Sequence, residues 1–320
     1  MSVIRASGLK KTFRTGFLMR AVDAVRHVDL DVAQGSIYGF IGPNGAGKTT
    51  CIKMLTGLIR PTAGEAWING RPVSDPDSRR GLGFLPEGTF FHEYLTGAEF
   101  LDFHARLLNL PASVRRERIP ALLERVGIGH AADLRIRRYS KGMRQRVGLA
   151  QTLIGDPDVL ILDEPMSGLD PLGRRDVRDL ILSLRDDGKT VFVTSHILGD
   201  AELICDHVAI ILAGRIVSEG CLDELLGQEI SGVEVVVEGI SEALFEELRT
   251  GATRAVSQGS RFLFEYADEA QADKAVDSVR SANGRLRSLV PRRRSLEELM
   301  VADMARHNEH HSERNEERAG

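Results

Sequence analysis

The stretch GFIGPNGAGKTTCIKML, residues 39–55, is the one on which the fold of this chain turns. An apolar run from Ile37 to Ile41 meets a glycine-rich segment, Gly42 to Gly47, and from Lys48 onward the apolar spacing becomes helical. That order of strand, loop and helix is the context a G-x-x-x-x-G-K-[ST] match requires. Gly42, Gly45 and Gly47, with Asn44 among them, let backbone N–H groups turn inward around phosphate oxygens, where a side chain would block the approach. Lys48 is then placed to reach the β- and γ-phosphates, and the Thr49 hydroxyl, followed by Thr50, to ligate magnesium. An ordinary glycine-rich turn is the competing reading, and the complete match in its context argues against it. The segment predicts a nucleotide site.

Composition narrows what surrounds that site. The 320 residues are enough for about two domains. Lys and Arg number 42 against 46 Asp and Glu, a net charge of −4, so no global basic field draws the chain to nucleic acid. The three cysteines, Cys51, Cys205 and Cys221, are odd in number and lack CxxC spacing, which fits a reducing compartment better than a disulfide or zinc framework. The N-terminal MSVIRASGLKKTF has no signal-like apolar core, and no run approaches membrane-span length. These features predict a soluble chain of the cytoplasm.

Two further apolar runs end in polar residues suited to the same chemistry. In DVLILDEP, Val159 to Leu162 reads as a buried parallel strand, ending in Asp163 and Glu164 where such sheets bind ligands. Asp163 suits the magnesium shell and Glu164 the activation of the attacking water, against the plainer reading of a surface acidic pair. TVFVTSH places Ser195 and His196 at the end of another strand, where His196 either donates to the γ-phosphate or is structural. YSKGMRQRVGLAQ, residues 139–151, is a polar turn feeding a helix whose free N-terminus suits a second phosphate contact.

Taken in order, GPNGAGKTT, FLPEG, YSKGM, LILDEP, SGLD (167–170) and SH (195–196) resemble the ATP-binding cassette (ABC) family over about residues 1–225. The resemblance implies an α/β P-loop NTPase cassette: a parallel core sheet, an antiparallel β layer and a helical insert. It implies an ATPase with ATP and Mg2+ as ligands. Ser140 and Gly142 match the signature, which in the family binds the γ-phosphate of ATP held by another cassette. Asp170 matches the aspartate that communicates across the dimer, His196 the switch histidine, and Phe13 the aromatic under adenine, although a core strand Phe fits that position too. The implied working unit is a homodimer or paired cassette driving a separate integral membrane permease from the cytoplasmic face of the membrane, with no nucleic acid partner. An ABC-type ATPase uncoupled from transport is the alternative class, disfavoured by the acidic charge and single cassette.

The chain departs from the family's common pattern at Tyr139, Lys141 and Met143, where Leu, Gly and Gln are usual, and at Glu87, where a glutamine commonly joins the metal shell. Glu87 can itself ligate magnesium, adding charge near the phosphates. Both variations are similar to those of ABC-2-type exporter ATPases, the multidrug and sodium-export group.

The motifs imply an ABC domain over 1–226. Residues 1–35 and 64–73 read as the antiparallel layer, and 88–155 as the helical insert, with Leu101, Phe103, Leu107, Leu108, Leu122, Leu123 and Val126 as core stripes. Phe90, Phe91, His92 and Tyr94 fall where the family docks a coupling helix, or fill the insert's own core. Residues 229–304 alternate β-α-β-β-α-β and predict a small C-terminal α+β domain of ferredoxin-like type, closed by a helix SLEELMVADMA, with regulation or dimer stabilisation as its expected role. Arg292 to Arg294 reads as a solvated run or a contact to anionic lipid. Residues 305–320 are polar and aperiodic, hence expected to be disordered; His307 and His311 have metal-compatible spacing there, a weak signal alone.

Overall fold

The computed structural model describes residues 1–16, 20–89, 91–227 and 230–306. Met1–Leu222 and the described part of Ala302–Gly320 form one unit, and Asp223–Val301 a second. The first carries the strands β1 (Ser2–Thr15), β2 (Arg20–Ala33), β3 (Ile37–Ile41), β4 (Ala63–Ile68), β5 (Arg71–Pro72), β6 (Leu82–Leu85), β7 (Val159–Leu162), β8 (Thr190–Ser195), β9 (His207–Leu212) and β10 (Arg215–Cys221). They make one sheet in the order β5-β4-β1-β2-β10-β9-β3-β8-β7-β6.

From β9 to β6 the neighbours run parallel. The strands β3, β7 and β8 are buried along their whole length, which is why they read as unbroken apolar runs and not as alternating ones. The strands β1, β2, β4 and β5 pair antiparallel. This layer is continuous with the parallel core: β2 meets β10 at Arg215↔His27, and the Arg26 N–H donates to the Gly214 carbonyl at 2.8 Å.

Helix α1 (Lys48–Leu55) follows β3 across the loop from Gly42 to Gly47. The insert between β6 and β7 holds α2 (Gly97–Leu107), α3 (Ala112–Arg125) and α4 (Lys141–Leu153); α5 (Pro171–Asp186) and α6 (Leu198–Glu202) belong to the core. Their starts follow from capping chemistry. Thr96 and Glu99 form a reciprocal capping box on α2, Ser140 accepts from the Met143 N–H on α4, and Asp170 accepts from the Gly173 N–H on α5. Each cap contributes about 1 kcal/mol to its helix.

The expected stripes of the insert are only partly core. Leu101, Leu122, Leu123 and Val126 are buried, but Phe103, Leu107 and Leu108 are 40%, 63% and 54% exposed. A helix that packs along one stripe leaves the flanking positions outside, and α2 carries apolar residues on more of its circumference than its neighbours cover.

In the second unit, which α7 (Leu222–Leu226) enters, the order is β11 (Ile230–Glu238), α8 (Glu242–Gly251), β12 (Arg254–Gln258), β13 (Arg261–Tyr266), α9 (Glu269–Ser281) and β14 (Arg285–Arg293). The sheet runs β12-β13-β11-β14, all antiparallel, the split arrangement of a ferredoxin-like fold. Phe245 and Leu248 of α8 and Val276 and Val279 of α9 cluster with Val233, Val235, Val237 and Phe264 of the sheet. Residues 296–306 are helical, while His307, His311 and the rest of the tail lie outside the described residues. Among the described residues no helix is long and apolar enough to cross a membrane. Phe264 is 1% exposed at the centre of this core, so Phe264→Ala should destabilise the second unit by about 3–5 kcal/mol, read by denaturant titration.

Candidate active site

Parallel pairing carries the C-terminal ends of four strands to one edge. Ile41 pairs with Ser195, Val193 with Leu162, and Leu162 with Leu85. The next residues of each chain segment therefore converge: Gly42 to Lys48, Asp163 and Glu164, His196, and Glu87. A cleft of about 350 Å³ opens there, walled by Asn44, Gly45, Gly47, Lys48, Thr49, Thr50, Glu87 and Glu164, and closed on one side by Ala24 of β2.

The loop backbone is built as a cradle. A Cβ on Gly42 would lie 2.3 Å from the Ile211 carbonyl, so only glycine lets the chain leave β3 here. Gly47 has φ +112°, and a Cβ there would meet the Ala24 carbonyl at 2.6 Å. The loop is braced from outside by the Gly214 N–H, which donates to the Ala46 carbonyl at 2.9 Å. Lys48 is 7% exposed and donates to the Gly42 carbonyl at 2.7 Å, with its ammonium 3.3 Å from Glu164 Oε1. A backbone cradle with a buried ammonium at its mouth fits a phosphate group. Magnesium fits less independently. Thr49, Asp163 and Glu87 are hard oxygen donors, yet among the described residues no three His, Cys, Asp or Glu gather as a metal cluster. By chemistry such a set fits a hard cation only with further oxygen donors from outside the chain.

The carboxylates are organised by Thr194, a residue the sequence reading passed over in favour of Ser195 and His196. Its hydroxyl donates to Asp163 Oδ1 at 2.7 Å and accepts from the Glu164 N–H at 2.9 Å. The signal was present as a polar residue directly after the apolar run Val191–Val193. Burial raises the Asp163 pKa above the usual carboxylate range; hydroxyls of Thr194 and Thr49 oppose the shift, and the charges of Glu87 and Glu164 add to it. Glu164 adopts φ +52°, an uncommon conformation for a side-chain-bearing residue, which turns its carboxylate toward the loop. Glu164 Oε2 lies 2.7 Å from His196 Nδ1. Ser195 serves locally, its hydroxyl accepting from the Ile197 N–H.

Ser140, Gly142, Asp170 and Phe13 are not among the walls of this cleft. Ser140 and Asp170 cap their own helices, and a Cβ on Gly142 would make ordinary contact with Leu169 Cδ2 at 3.8 Å and the Ser140 hydroxyl at 3.9 Å. Phe13 is 37% exposed with the Lys11 ammonium 5.3 Å from its ring centroid, so it is not a core strand residue. Tyr139 has a structural explanation: its hydroxyl donates to the Ala131 carbonyl at 2.7 Å, against Gly97, where any Cβ would collide with it. The Lys141 side chain lies over Gly168 of the SGLD turn. Glu87 also lines a second groove, of about 410 Å³, with Lys141 and Arg144. Of the aromatic group, Phe91 packs on Phe100 at 5.5 Å, His92 and Tyr94 are exposed, and Phe90 lies outside the described residues. Arg292 is paired with Glu265 and Glu298, which reads it as an intramolecular salt bridge.

Sheet, cradle and buried carboxylates define a P-loop nucleoside triphosphatase. A family model described as ABC transporter matches residues 25–167. An ABC transporter ATP-binding protein of Nostoc sp. is 44% identical over 311 residues, spanning 94% of this chain and 89% of that protein. The Nod factor export ATP-binding protein I of Cupriavidus metallidurans is 38% identical over 75% of this chain and 80% of its own. The dimeric post-hydrolysis state of the ATP-binding cassette MJ0796, bound to ADP and Pi, matches with TM-score 0.62 at 25% identity, over 68% of this chain and 98% of that one. The chain belongs to the ABC transporter family as an ATP-binding, ATP-hydrolysing cassette.

The raised Asp163 pKa has a stability consequence. A carboxyl that binds its proton more tightly in the folded state costs stability as pH rises from the ordinary carboxylate range through the raised value, and that cost persists at neutral pH. Asp163→Asn keeps an acceptor for Thr194 without the charge. It should therefore raise the melting temperature of the nucleotide-free protein at pH 7, a gain that shrinks in acid, while hydrolysis is lost; melting curves across pH check this.

Proposed function

We propose that two such cassettes close around two ATP molecules and drive a membrane-spanning permease as an exporter, at the cytoplasmic face. The observation that carries the dimer is the separation of the two phosphate-binding elements. Ser140 and Gly142 stand outside the chain's own cleft, at a helix start whose cap, Ser140, is exposed, so they serve the nucleotide of a second cassette, homologous or identical. Support for export comes from relatives such as the Nod factor export protein. The exposed Tyr94, Phe103 and Leu107 offer the permease an apolar surface next to the Glu87 loop. The acidic net charge speaks against nucleic acid. The second unit, a ferredoxin-like domain, is assigned to regulation or dimer stabilisation.

In this reading Gly42, Asn44, Gly45, Gly47 and Thr50 hold the phosphates with Lys48, and Phe13 stacks on the adenine. Thr49, Asp163 and Glu87 would hold magnesium, which would neutralise charge on the phosphates. Glu164 orients water and takes its proton as the water oxygen bonds to the γ-phosphorus and the bond to ADP breaks. His196, already within 2.7 Å of Glu164, fixes that carboxylate and donates to the γ-phosphate. Asp170 reports closure to the partner cassette.

Glu164→Gln should bind ATP and close, with hydrolysis reduced about 10²-fold or more. Single-turnover assays beside equilibrium binding measure both, and near-normal turnover would remove Glu164 as the base. For the partner, the tagged protein should copurify from detergent-solubilised native membranes with a stoichiometric polytopic protein. Recovery of ribosomes, DNA or soluble proteins alone would shift the assignment to an ATPase uncoupled from transport.

A further inference from the structure

The chain segments that carry Glu164 and His196 are tied to each other a second time, away from the cleft. The first tie is direct: Glu164 Oε2 accepts from the His196 N–H at 3.3 Å and faces its Nδ1 at 2.7 Å. In α6, which follows His196, Asp200 is buried at 8% exposure. Arg174 and Arg178, one turn apart on α5, bracket its carboxylate, with their Nη1 atoms each 3.9 Å away, from Oδ2 and Oδ1 respectively. Asp200 Oδ2 accepts no hydrogen bond among the described residues, so the two guanidinium charges compensate the buried acid. The Arg174 guanidinium is shared, because its Nε donates to the Leu169 carbonyl at 3.2 Å, on the peptide that enters Asp170. The SGLD turn in turn leaves Glu164 directly, its Ser167 N–H donating to the Glu164 carbonyl at 3.1 Å. The contacts therefore close a ring that runs from Glu164 through Leu169, Arg174 and Asp200 to His196 and back to Glu164. Arg178 touches this ring only at Asp200 and has no bond to the turn among the described residues.

We infer that Asp200 is a positioning residue for hydrolysis: through Arg174 it fixes the SGLD turn, and with it Asp170, relative to the segment that carries His196. This rests on the reading of His196 and Asp170 as site residues. Two segments joined at one point can pivot about it, whereas two joined at both ends cannot. With the Glu164–His196 tie alone, the turn and α6 would be free to swing apart. The Asp200–Arg174 tie removes that freedom, so His196 and Asp170 keep one mutual placement. Asp200 is not among the walls of the cleft, and it acts only through what it holds. The side chains of Arg174 and Arg178 are 36% and 24% exposed, so water solvates both when the acid is neutralised, and the fold survives the change.

The test compares Asp200→Asn, Asp200→Glu, Arg174→Met and Arg178→Met with wild type in the full-length protein, by hydrogen exchange, ATP hydrolysis and calorimetric ADP binding. The Ser167 and Leu169 N–H groups donate within the turn, the latter to the Met166 carbonyl at 3.4 Å, so their exchange reports its opening. Asp200→Asn and Arg174→Met should each speed that exchange about tenfold and lower kcat about tenfold or more, with ADP affinity within about twofold of wild type. Asp200→Glu keeps the charge and should recover most of the rate; it also carries the test if the Asn variant does not fold, because Arg174→Met combined with Asp200→Glu should then be as slow as Arg174→Met alone. Arg178→Met removes an ion pair of the same length from the same acid without touching the turn, and it should leave exchange and kcat near wild type. Unchanged exchange in Asp200→Asn, or equal losses in Arg174→Met and Arg178→Met, would overturn the inference and leave an ordinary buried ion pair. His196→Ala should abolish hydrolysis. Normal hydrolysis there would instead remove the reading of His196 on which the inference stands, while exchange in Asp200→Asn still decides whether the acid holds the turn.

Discussion

Three ionisable side chains, Lys48, Asp163 and Glu164, are buried at one edge of the sheet, at 7%, 1% and 7% exposure. An isolated ion in such a place costs several kcal/mol, so each must be compensated by a neighbour placed to within a few tenths of an ångström. The parallel sheet supplies that placement. Its register brings the ends of β3, β6, β7 and β8 level, and the hydrogen bonds of the ladder, not the side chains themselves, hold the charges in range. The Asp163 N–H donating to the Leu85 carbonyl at 2.8 Å extends this ladder past the last strand residue and into the site.

Thr194 is where scaffold and chemistry join. As the penultimate residue of a fully buried strand it belongs to the core, and its hydroxyl is the link between Asp163 and the backbone of Glu164. His196 then fixes the other end of Glu164. The two buried carboxylates are thus held by β8, a strand that follows them in sequence, so their geometry depends on the whole parallel half of the sheet.

The insert is tied to that half through few but directional contacts. Gln145 donates to the Pro165 carbonyl at 2.7 Å, one residue after Glu164. Arg146 pairs with Asp176 of α5 and donates to the Val126 carbonyl, and Arg125 pairs with Asp187. The unusual Tyr139 bolts the loop before α4 to the start of α2, whereas Lys141 and Glu87, opposite in charge, line one groove without pairing among the described contacts. An arrangement with its bonds near Glu164 and its exposed apolar residues on α2 connects the outer face of the insert to the site through α4.

Local spacing alone carried the phosphate loop, the acid pair after an apolar strand, and the β-α-β-β-α-β order of the second unit, because each is a short-range pattern of glycine, burial and turn chemistry. The helix start at Ser140 was legible for the same reason, whereas the cap that Asp170 makes on α5 was not read from the sequence. What no local pattern carries is which residues share a neighbour. The continuity of the antiparallel layer with the core rests on one strand pair, Arg215 with His27, made by residues far apart in the chain. Phe103, Leu107 and Leu108 read as core because periodicity reports a stripe but not what covers it. Thr194 and the Lys48–Glu164 pair were equally silent, since a hydroxyl at a strand end and two charges more than a hundred residues apart acquire meaning only when sheet register sets the distance between them.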